Sequence, residues 1–195
     1  MVGRLTVQRT RRSAWSRLLI ALVSVGLPVA AANPGKLAEG VELPLLESVT
    51  LSGNAGTLPQ DARGHGSVLV IGFSKASMQF TRPWMEGCRA AAGATPERPN
   101  VLCYDVRMVE GVPRAFRGMM ERQMRKGLPA ELLPRTFMVY TANDTWRERL
   151  GATDDKIAYV IGCDEEGRVR RVATGPYVKT ELDGILAAIS PKARE

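Results

Sequence analysis

The densest apolar stretch past residue 60 is Ser67–Phe73, with Val68, Leu69, Val70 and Ile71 in succession. A strand with one wet face alternates apolar and polar positions, so an unbroken run of this length predicts a central strand buried on both sides. A helix follows within residues 77–92, where Pro83 must start a helical segment or kink one. Residues 93–100 are breakers, and Val101–Asp105 is the next strand. Phe116, Met120 and Met124, with Met119 beside them, recur at helical spacing over residues 113–126, and Gly127 and Pro129 end that helix. The pattern normally places such a stripe against the core, with the charged face in water. A strand at Thr136–Tyr140 and a short helix at Asp144–Leu150, closed by Gly151, come next. Strands at Ile157–Cys163 and Arg168–Thr174 flank a turn at Asp164–Gly167 and make a hairpin. The last helix, Lys179–Ile189, stripes Leu182, Ile185, Leu186 and Ile189 along one side. Ahead of all this, Leu43, Leu45 and Leu46 lead into Val49 and Leu51 as a short strand or hairpin, and residues 53–66 read as a loop.

Strand, helix, strand, helix, then hairpin and helix, with a right-handed crossover of the parallel pair, is the thioredoxin-like order. The expected fold class is α/β, a mixed sheet flanked by helices. Its sheet runs second strand, first strand, third, fourth. The domain reading is 1–34 as a targeting segment, 35–66 as a lead-in strand and loop, and 67–195 as the thioredoxin-like domain.

Charge changes the picture only at the N-terminus. The 195-residue chain has a formal charge of +7. Arg4, Arg9, Arg11, Arg12, Arg17 and Lys36 precede the first acid, Glu39, and leave the remainder nearly neutral. With that segment removed, the global case for nucleic-acid binding goes, because phosphate tracking needs a local cation cluster. Only residues 107–135 offer one. The apolar run Leu18–Ala32 is shorter than the roughly 20 residues a spanning helix wants. Ala30 and Ala32 form a signal-peptidase pattern, while the acid-free, arginine-rich context equally suits a mitochondrial presequence. Export and mitochondrial import both stay open.

The segment Leu43–Phe73 is similar to the lead-in of membrane-tethered thioredoxins and peroxiredoxins. In those families the reactive cysteine follows the strand, where a helix N-terminus stabilises a thiolate. Here residues 74–83 contain no cysteine. Counting back from Pro83, which resembles the kink proline of that helix, puts Lys75 and Met78 at the thiol positions. The cis-proline of the third-strand approach is also missing, replaced by Asp154, Asp155 and Lys156. Cys103 and Cys163 fall on strands that the first strand should separate, too far apart to be joined. All three cysteines therefore read as buried, reduced thiols. Cys88, beside Arg89 and near Arg82, is the one candidate for a reactive thiol. His65, between two glycines, reads as a loop residue. No zinc, phosphate-loop, dinucleotide or Ser-His-Asp pattern is present, so no catalytic, cofactor-binding or metal-ligating residues are assigned.

The C-terminal third carries a further likeness. Arg147–Gly151, Ile157–Val160, Asp164, Gly167–Arg171, Gly175, and Glu181 with Leu182 resemble the mitochondrial ATP synthase assembly factor ten family, thioredoxin-like chaperones of subunit a in the membrane sector. Pro134 and Arg135 before a strand, and the region Phe73–Trp84, are similar to the same family. The family commonly has an aromatic after Arg170, where this chain has Arg171. The resemblance implies a redox-inactive assembly factor with a transit peptide, acting at the mitochondrial inner membrane on subunit a, without cofactor or nucleic acid. It would hold its client on exposed sheet edges or on the old active-site surface. Residues 107–135, with seven basic and three acidic side chains, read either as the solvated face of an ordinary amphipathic helix or as a surface for anionic lipid headgroups near a membrane-embedded client, the first being the more usual. Two alternatives use the same fold: a thiol peroxidase or transferase relying on Cys88, and an exported bacterial binding module.

Overall fold

The computed structural model describes residues 36–94 and 101–190. The targeting segment expected at residues 1–34 lies outside them. Seven strands, β1 (Leu46–Thr50), β2 (Ala55–Leu58), β3 (Gly66–Gly72), β4 (Val101–Met108), β5 (Thr136–Val139), β6 (Ala158–Cys163) and β7 (Val169–Thr174), form one sheet. Four helices accompany them: α1 (Met78–Ala94), α2 (Arg114–Lys126), α3 (Asn143–Leu150) and α4 (Lys179–Ile189).

The sheet order is β2-β1-β5-β4-β3-β6-β7. Its β4-β3-β6-β7 half is the expected thioredoxin order, with β3 parallel to β4 and antiparallel to β6. Every residue of β3 is buried, as its continuous apolar run requires. The added strands are on the other side. β5 joins β4 in parallel, and β1 caps β5 in antiparallel. The lead-in is the hairpin β1–β2, so part of the predicted loop 53–66 is strand. A 3-10 segment at Ala130–Arg135 precedes β5 and had no counterpart in the sequence pattern.

The period of two along the strands sorts the core into two layers. Val68, Val70, Cys103 and Val160 face α1 and α4, meeting Trp84, Cys88, Leu182 and Ile185. Leu69, Ile71, Val106, Phe137 and Ile161 face the opposite way, onto Trp146 of α3 and the residues Leu46 and Leu58 of the hairpin. The Trp84 indole N–H donates to the Gly175 carbonyl at 3.0 Å, so this buried donor is satisfied where α1 meets the end of β7.

Two expectations are corrected. The three cysteines are not all reduced: Cys88 and Cys103 form a disulfide with Cα atoms 6.3 Å apart. The bridge joins a helix to a strand, because α1 lies across β3 and β4 and sets Cys88 directly over Cys103. That Cα spacing is within the usual range for a bridge. Cys163 is free and buried, as expected. Nor does α2 place its apolar stripe in the core. No α2 residue is buried, and Phe116 and Met119 are 56 % and 65 % exposed. Its inward contacts are polar. The Arg125 guanidinium donates to the Leu51 carbonyl at 2.6 Å, and the Arg117 guanidinium lies 4.1 Å from the centroid of the Tyr140 ring.

Candidate functional site

In a thioredoxin-like sheet the chemistry sits where the first central strand gives way to the first helix. Here β3 ends at Gly72, and Phe73–Ser77 turn the chain into α1. Two hydroxyls hold that turn. The Ser77 hydroxyl donates to the Ser74 carbonyl at 2.7 Å, and the Ser77 backbone N–H reaches the Ser74 hydroxyl at 3.3 Å. The Ser74 hydroxyl in turn donates to the Asp155 carbonyl at 2.8 Å. This bond ties the helix start to the approach to β6, the place where the sequence lacks the family's cis-proline. A Cβ on Gly72 would collide with Ser77, so the strand end must be glycine for the serine to tuck in.

Lys75 is exposed and Met78 half-buried at the mouth of a groove of about 590 Å³. One wall is the outer side of α1, with Met78, Arg82, Met85 and Arg89. The other wall is the end of α2 and the segment after it, with Met124, Leu128 and Leu132. The floor is β4 and β5, through Asp105, Arg107 and Thr136. The floor follows from strand geometry. Val101, Cys103, Asp105 and Arg107 share one face of β4; the first two are covered by α1, and the polar pair continues that face past the helix. Arg107 donates from Nε and a terminal nitrogen to one Asp105 carboxylate oxygen, at 2.9 and 2.7 Å. Lys75, Arg82 and Arg135 add cations around the methionines and leucines. Such a surface can hold an apolar segment with acidic neighbours, because methionine side chains adapt to irregular partners. The alternation of β4 was the signal that could have found Asp105 and Arg107.

Among the described residues, the structure brings no thiol to this site. Cys88 is 0 % exposed and Cys103 3 % exposed, bonded to one another beneath α1. Cys163 is buried at the start of the hairpin turn, and burial, followed by the nearby Asp164 carboxylate, pushes its thiol up to about 12. His65 lies in the turn entering β3, at the end of the strand opposite Ser74. A second cavity, of about 660 Å³, lies between Asp164–Glu166 and the end of α4.

A family model, ATP10 protein, matches residues 36–191. The chain belongs to the ATP10 protein family. That match spans the described sheet and its helices, the β1–β2 hairpin included. No curated protein matches the sequence of this ATP10 family member. Solved structures similar to it share the thioredoxin-like fold at low identity. The thioredoxin domain of a thiol-disulfide oxidoreductase from Bacteroides vulgatus is 15 % identical, with a TM-score of 0.55 over 79 % of this chain and 99 % of that one. BsSco, a member of the Sco family of cytochrome c oxidase assembly proteins, is 10 % identical, with a TM-score of 0.56 over 80 % and 98 %. A thiol peroxidase from Chromobacterium violaceum is 12 % identical, with a TM-score of 0.52 over 78 % and 88 %.

Proposed function

We propose that this ATP10 family member is a mitochondrial ATP synthase assembly factor that binds a membrane-sector subunit, subunit a by family likeness, and carries out no thiol–disulfide turnover. The observation that carries the second half is the β3–α1 junction, where Ser74, Lys75, Ser77 and Met78 stand in place of a thiol pair. The groove beside it supplies a binding surface of methionine, leucine and basic side chains. No helix among the described residues is long and apolar enough to cross a membrane, so the domain would meet its client from the membrane's side.

The test is affinity purification of the C-terminally tagged chain from its native cells, with partners identified by mass spectrometry. Subunit a and its neighbours should be enriched, and Arg82→Glu with Arg135→Glu should deplete them. Efficient insulin or peroxide reduction by catalytic amounts of the protein would refute the reading.

The disulfide favours a second reading, an exported binding module of the same fold, because such bonds persist in oxidising compartments. The mature N-terminus separates the two. A cut after Ala32 indicates export; a cut near Arg11–Arg17 indicates mitochondrial import.

A further inference from the structure

Most amphipathic helices of a folded domain turn their apolar side inward; α2 is turned the other way. At 100° per residue, Arg117, Glu121 and Arg125 share one side, and all three make polar ties to the body of the domain. The Tyr140 hydroxyl donates to the Glu121 carboxylate at 2.8 Å, and Arg125 pairs with the same carboxylate at 3.3 Å. The Tyr140 hydroxyl is consequently pushed up, first by burial and then by that bond. The opposite side carries Phe116 and Met119, both exposed, flanked by exposed Arg122 and Lys126. Gly118, also exposed, has open space where a side chain would stand.

We infer that the outer face of α2 docks on an anionic membrane surface. Phe116 and Met119 would enter the boundary between headgroups and acyl chains, while Arg122 and Lys126 meet the lipid phosphates. Charge selects this occupant. The helix has five cations and one acid, and its sole acid is consumed inward, so the outer face presents positive charge only around its apolar centre. A second copy of the chain would bring like charge against like. The inference rests on α2 alone and does not depend on which client the groove takes.

The cysteine arrangement makes a direct test possible, since Cys88 and Cys103 are bonded and Cys163 is buried. In the full chain, Met119→Cys provides one reactive thiol for an environment-sensitive fluorophore. Its emission should shift to the blue on adding phosphatidylcholine vesicles containing phosphatidylglycerol, but not with phosphatidylcholine alone. The same probe at Glu166→Cys, on the distant hairpin turn, should not shift. Each cation near such a surface is worth about fivefold in binding. Arg122→Gln and Lys126→Gln together should therefore weaken the response about 25-fold, with unchanged melting temperature. An absent shift, equal shifts with both vesicle types, or double-variant binding equal to the parent would overturn the proposal. So would a blue shift that appears without lipid and grows with protein concentration, which would make this face a protein–protein contact.

Discussion

Reduction of the Cys88–Cys103 bond is the perturbation whose size follows most directly from the fold. The bridge closes a loop with a sequence separation of 15. In the chain-entropy treatment, a loop of that length limits the unfolded ensemble by about 3 kcal/mol at room temperature. The native side should change little. Both sulfurs lie among Val68, Val70, Trp84 and Val101, where a reduced thiol behaves as a small hydrophobe. The loss thus falls on the unfolded state and lowers stability without altering the native contacts. A domain of this size has roughly 5–15 kcal/mol to lose, so the reduced protein should remain folded at room temperature. Its melting temperature should fall by about 6–12 °C. The assay is urea and thermal unfolding with and without a phosphine reductant, beside a Cys88→Ala, Cys103→Ala variant that should match the reduced parent and ignore the reductant. Thiol counting in denaturant without reductant should find one reactive cysteine, Cys163. Three reactive thiols, or unfolding curves that superimpose with and without reductant, would refute the reasoning.

Gly162→Ala should destabilise the domain by about 1–3 kcal/mol, the usual range for overpacking. Its Cβ would stand 2.5 Å from Ile185 and 3.1 Å from Ile189, side chains with nowhere to retreat between β6 and α4; the urea midpoint reports it. Alkaline pH should also destabilise the fold. The Cys163 thiol is held up to about 12 by burial and Tyr104 to about 12 by burial, so both stay neutral in the folded chain while the unfolded chain ionises above its ordinary values. Their contribution is complete below about pH 9 and is lost progressively from there to about pH 12. Unfolding midpoints measured from pH 7 to 11 should fall only above about 9, and a flat profile would refute the assignment. Finally, Lys75→Cys with Met78→Cys should create a thiol acidified below the ordinary value near 8.5, since the start of α1 presents the positive end of the helix dipole to a thiolate. Alkylation rate against pH measures it, and an unshifted profile would mean that the junction no longer has the geometry of a redox site.

Much of the architecture is local, and for that reason it was written in the order of residues. The strand β3 declares itself because a stretch buried on both faces cannot alternate, and α4 because Leu182, Ile185, Leu186 and Ile189 recur at the helical period. The absence of a thiol at residues 74–83 needed no coordinates. The family likeness too rested on short local runs such as Gly167–Arg171. What the tertiary structure decided were relations between elements far apart in the chain. Cys88 on a helix and Cys103 on a strand meet only because α1 crosses β4, and no spacing rule ranks that pairing above the others. The groove needed α1, β4, β5 and the end of α2 assembled before Asp105 and Arg107 had a setting. The periodicity of α2 revealed an apolar side but not which way it faces. That orientation is set by Leu51 and Tyr140, which hold Arg125, Glu121 and Arg117 of the helix against the domain and leave Phe116 and Met119 outside. Period and composition are properties of a segment, whereas pairing, enclosure and facing are properties of the packed whole.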